Sequence, residues 1–83
     1  LDVSQIEKLI NDALSLDELH VKFDGSQCQI TAVSDMFEEL SRVKRQQLVY
    51  APLTQAISEG TIHAVTIKTF TKAQWQRDKL FNL

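Results

Sequence analysis

Cysteine, proline and glycine are all scarce in this sequence, and each scarcity removes a class of structure. The one cysteine, Cys28, has no second thiol to pair with, which excludes a small domain stapled by internal disulfides. Two glycines and one proline leave no collagen-like or linker-rich tract. No apolar run approaches the roughly 20 residues that a membrane-spanning helix needs. Acidic and polar residues interrupt the first apolar positions at once, so the start does not read as a secretory leader. An excess of one charge is also missing. Nine Lys and Arg against eleven Asp and Glu give a net charge of −2, so overall charge does not announce a nucleic-acid binder. What remains is ordinary globular composition: 83 residues, 43% hydrophobic and 24% charged, are enough for one core and too few for two. The expectation is one soluble domain over residues 1–83, cytoplasmic and without a membrane partner.

Period and caps place the elements. Val3, Ile6, Leu9, Ile10, Ala13 and Leu14 form the stripe of an amphipathic helix over about 3–15. Two capping boxes compete for its start, Ser4 with Glu7 and Asp2 with Gln5. Leu19 to Phe23 and Gln27 to Val33 read as strands, and the Asp24-Gly25-Ser26 turn between them makes a hairpin. On the second strand Cys28, Ile30 and Ala32 share one face. Met36-Phe37 anchor an irregular turn, and Ser41 caps a helix running to about Ser58. Pro52 must bend or restart that helix, and Gly60 ends it. Ile62 to Phe70 reads as a third strand, followed by a capping box, Thr71 with Gln74, and a last helix anchored by Trp75. The order αββαβα, with a right-handed crossover between the second and third strands, predicts an α+β fold with a three-stranded mixed sheet. That topology is similar to K-homology domains of type II. Their Gly-x-x-Gly clamp on single strands is absent, because Gly25 and Gly60 are the only glycines.

No arrangement of residues supports catalysis. There is no nucleophile–base pair, phosphate loop or CxxC, and adjacent Glu38 and Glu39 belong on a solvated face. His63 is more informative. If it stands just inside the third strand, and that strand runs parallel to the second, it lies beside the hairpin loop that carries Cys28. An imidazole and a thiol meeting at an exposed sheet end suit a soft or borderline metal. The competing reading is a histidine bonded to a backbone carbonyl and a cysteine filling a small core site. His20 begins the first strand and belongs towards the opposite end. A second cluster, Arg42-Val43-Lys44-Arg45, sets three cations at a helix start, against the macrodipole. A phosphate-facing surface, with Lys68 adding charge, accounts for them, and so does ordinary solvated charge.

The sequence resembles the BolA-like family and, within it, the short IbaG type, over nearly its whole length. The resemblance rests on Ala13-Leu14-Ser15-Leu16, His20-Val21, Asp24-Gly25-Ser26, Ser41-Arg42-Val43-Lys44, Gln46-Gln47, Val49-Tyr50 and Pro52-Leu53, then Ile62-His63-Ala64-Val65, Ile67-Lys68, Thr71 and Trp75. It implies a non-enzymatic protein that partners a monothiol glutaredoxin. The pair would bridge a [2Fe–2S] cluster, with glutathione from the partner side, in iron–sulfur trafficking and acid or stress response. It implies no cofactor for the chain alone, as a monomer or weak homodimer. The family's histidine at the head of the third strand falls on His63. The family histidine of the hairpin loop falls on Gln27, and Cys28 takes the next, aromatic position, so Cys28 either serves as second ligand or is core. The alternative implied is a DNA-binding transcriptional regulator, using Arg42, Lys44, Arg45 and Lys68.

Overall fold

A computed structural model describes residues 1–82. Its elements are α1 (Val3–Ala13), β1 (Glu18–Phe23), β2 (Gln27–Val33), α2 (Arg42–Tyr50), α3 (Thr54–Ser58), β3 (Ala64–Phe70) and α4 (Lys72–Asn82). Short 3-10 turns at Asp35–Phe37 and Ala51–Leu53 complete the path. The three strands lie in the order β1-β2-β3, with β1 antiparallel and β3 parallel to β2. This is the mixed sheet expected from the αββαβα order.

Caps decide where the helices begin. Asp2, rather than Ser4, opens α1: its carboxylate accepts from the Gln5 amide at 2.9 Å, while the Gln5 side chain accepts from the Asp2 amide at 2.8 Å. The helix ends at Ala13, two residues short of the reading above, because Leu14 turns extended and packs with Leu16 against the core. The Ser41 hydroxyl accepts from the Lys44 amide at 3.3 Å and opens α2. Pro52, which lacks the amide proton that a continuing helix would use, sits inside the 3-10 turn, and α3 restarts at Thr54. Gly60, at φ +78°, then turns the chain out of the helix. At α4 the Thr71 hydroxyl accepts from the Gln74 amide at 3.2 Å, and the Gln74 side chain accepts from the Thr71 amide at 2.9 Å.

Strand alternation sorts the side chains into two layers. Cys28, Ile30 and Ala32 face Ile6, Ile10, Val49, Leu53 and Ile62 in one buried cluster, so α1 and the segment from α2 to α3 cover that side. The other side is closed at one end by Trp75. Its indole, 2% exposed, lies 5.3 Å from both the His20 and Phe70 rings. Helices therefore pack on both faces, and α4 alone covers the second.

Candidate functional site at the head of the third strand

The site is built from the hairpin upward. Asp24 Oδ1 accepts from the Ser26 amide at 3.0 Å and the Gln27 amide at 2.8 Å, and Gly25 takes φ +100° to close the turn. Those backbone donors, Gln27 first and Ser26 next, hold the Asp24 carboxyl below its usual range. The turn leaves the Ser26 carbonyl facing the start of β3. There it accepts from the His63 amide at 2.9 Å and the Ala64 amide at 3.2 Å. Ile62, 1% exposed, anchors the preceding residue in the core, so His63 is held between a buried neighbour and a clamped main chain. Its side chain is exposed and has no hydrogen-bond or ionic partner among the described residues.

His63 lies one residue before β3 rather than inside it, because the regular parallel ladder begins at Gln27 opposite Ala64. Its proximity to the hairpin loop is as expected from parallel pairing. Cys28 is buried, 1% exposed, and stands opposite Phe23 and Val65 on the core face. Desolvation pushes its thiol pKa up, which favours the neutral thiol over the thiolate that a metal requires. His20 pairs with Thr31 well away from the hairpin loop and stacks on Trp75. Its Nε2 lies 3.6 Å from a Glu18 carboxylate oxygen and is buried without a hydrogen-bond partner. Among the described residues, no three His, Cys, Asp or Glu side chains converge as a metal site.

The basic residues do not form one surface. Arg42 and Lys44 are exposed on the first turn of α2. Arg45 is half-buried: its Nε donates to the Leu40 carbonyl at 3.1 Å and its Nη1 to the Gln74 side chain at 3.5 Å. That tie between the loop before α2 and α4 gives a cation at the helix start a structural reason. Lys68 belongs to the other sheet face, where it lines a hollow with His20, Lys22, Gln29, Thr31 and Thr66. Sequence reasoning missed the role of the Ser26 carbonyl, which no side-chain pattern encodes. It also missed that Arg77 and Gln74 share a cleft with Arg42 and Arg45. The i, i+3 spacing of Gln74 and Arg77 on one helix face was the available signal.

A family model for BolA-like proteins matches residues 8–74. The chain belongs to the BolA-like family. It is of the IbaG type: it is 46% identical over 82 residues to the acid stress protein IbaG of Escherichia coli strain K12, covering 99% of this chain and 98% of that protein. Solved BolA proteins share the fold. A bol-like protein from Babesia bovis has a TM-score of 0.79 at 25% identity, covering 95% of this chain and 94% of that one. The BolA domain of SufE1 from Arabidopsis thaliana has a TM-score of 0.75 at 27% identity, covering 88% and 96%. Among the described residues, no helix is long and apolar enough to cross a membrane.

Proposed function

We propose that this BolA-like protein is a non-enzymatic partner of a monothiol glutaredoxin and supplies His63 as a ligand to a [2Fe–2S] cluster bridging the two chains. The observation that carries the reading is His63 itself, an exposed imidazole without a partner among the described residues, fixed at a sheet end through the Ser26 carbonyl. The donor set fits a shared group and not a self-contained one. Such clusters take four ligands, mostly thiolates, and this chain offers one accessible imidazole while its only thiol is buried. The other ligands would come from the glutaredoxin cysteine and its glutathione. When bound, the cluster supplies the iron and sulfide that are passed on. The chain's own contribution is to present and orient the imidazole, with the Asp24 turn keeping the Ser26 carbonyl in place. The stress-related name of its Escherichia coli relative is consistent with a role in acid or stress response.

The test is to mix the two proteins anaerobically with iron, sulfide and glutathione and record visible absorption and circular dichroism. A heterocomplex spectrum that changes or disappears with His63→Ala supports the assignment, and an identical spectrum rejects it. Duplex DNA is the second reading, favoured by Arg42 and Lys44, exposed on the first turn of α2.

A further inference from the structure

Helix α2 carries an uncharged stripe beside its cations. At 3.6 residues per turn, Val43, Gln46, Gln47 and Tyr50 share one arc of its surface, at positions i, i+3, i+4 and i+7. Arg42, Lys44 and Arg45 fall outside that arc. The core takes Val49 from this helix, whereas Val43 and Tyr50 stay 64% and 42% exposed.

The stripe ends beside His63. Tyr50, on the last turn of α2, lines a groove of about 180 Å³ with Gln46, Gln47, Val65 and Ile67. The first turn lies at the other end of the strand, where Arg42 and Arg45 meet Thr69 and Phe70. The Gln46 side-chain amide donates to the Ile67 carbonyl at 2.8 Å and ties helix to strand, so the groove is formed before any partner arrives. Val65 is two residues from His63, about 7 Å of extended chain. The groove therefore belongs to the surface around the imidazole.

A cluster ligated by one imidazole of this chain draws its partner's surface against whatever surrounds His63. On one flank stands the hairpin turn with the Asp24 carboxylate, and covering it would take a charge out of water. On the other flank the groove is lined by two glutamines, a tyrosine, a valine and an isoleucine, with no charged side chain. Interface centres are depleted of charge and enriched in tyrosine, so this flank is covered at less cost. We propose that the glutaredoxin sharing the cluster docks on this groove, with an uncharged, apolar patch beside its cluster cysteine packed against Tyr50 and Val65. Docking here rests on the glutaredoxin reading of His63 and adds to it the face that holds the partner. A nucleic acid suits the groove poorly, because no cation lines it.

The experiment holds a cluster-loaded monothiol glutaredoxin with glutathione at fixed concentration and titrates this protein in anaerobically, following visible circular dichroism. Tyr50→Ser should give the wild-type heterocomplex spectrum, because His63 is intact, but its midpoint should move to about tenfold higher protein or more. Gln47→Glu, at an exposed position where folding is not at stake, should move the midpoint in the same direction. Met36→Ser removes an exposed apolar side chain next to Ser34, at the opposite end of the sheet, and should titrate as wild type. His63→Ala should change the spectrum itself. Docking on this groove is overturned, with the ligand reading left standing, if His63→Ala changes the spectrum while Tyr50→Ser or Gln47→Glu titrates as wild type. It is equally overturned if Met36→Ser shifts the midpoint as far. A His63→Ala spectrum identical to the wild type, or no heterocomplex spectrum at all, rejects the ligand reading and the docking face with it.

Discussion

The His63 amide donates to the Ser26 carbonyl at 2.9 Å, joining the head of β3 to the hairpin turn across a sequence separation that no local rule spans. The imidazole is held by its main chain, and its ring has no partner among the described residues. Such a residue can be altered without disturbing the fold, which gives the first expectation. His63→Ala should change stability by no more than about 0.5 kcal/mol in denaturant unfolding, while removing the heterocomplex cluster signal.

Cys28 should behave in the opposite way. Its sulfur sits in the core, so Cys28→Ser places a hydroxyl in a small apolar site and should cost on the order of 1 kcal/mol. Cluster assembly with the glutaredoxin should persist. Native thiol labelling by a maleimide should be slow, and rapid labelling together with loss of the complex would restore Cys28 as a ligand.

The hairpin turn should resist moderate acid. The Asp24 pKa is lowered in the folded protein by the Gln27 and Ser26 amides, so its contribution is fully present above the unfolded value, about 3.9. That contribution is lost only as the pH falls through the lowered folded value. A carboxyl-carbon NMR titration should place the Asp24 midpoint below that of a free aspartate. Amide exchange at Gln27 should accelerate in Asp24→Ala at neutral pH.

Trp75 is the main attachment of α4 to its sheet face. Trp75→Ala should cost about 3–5 kcal/mol, a large share of the stability of so small a domain. The loss is measurable by thermal unfolding. A cost below about 1 kcal/mol would show that α4 is not held by this packing.

If duplex DNA binds through the start of α2, affinity should fall steeply between two salt concentrations. Arg42→Glu with Lys44→Glu should abolish it. Binding insensitive to both changes would remove that surface from consideration.

Much of the fold was legible because its signals are local. The Thr71–Gln74 box, the Asp24-Gly25 turn and the alternation of Cys28, Ile30 and Ala32 each depend on neighbours within a few residues. The competing caps of α1 were not separable in this way. Both boxes satisfy the same local rule, and the choice of Asp2 emerges only in the folded chain.

The sequence by itself determined the element order, the parallel crossover and the candidate imidazole at a sheet end, because hydrophobic period and turn chemistry act within short windows. Only the tertiary structure decided what each functional candidate touches. It buried Cys28 and raised its thiol pKa by desolvation. It tied Arg45 to Leu40 and Gln74, and set Lys68 on the face away from α2. Burial and convergence are properties of packed surfaces. They depend on which helix lies over which strand, and the spacing of residues along one segment carries no record of that.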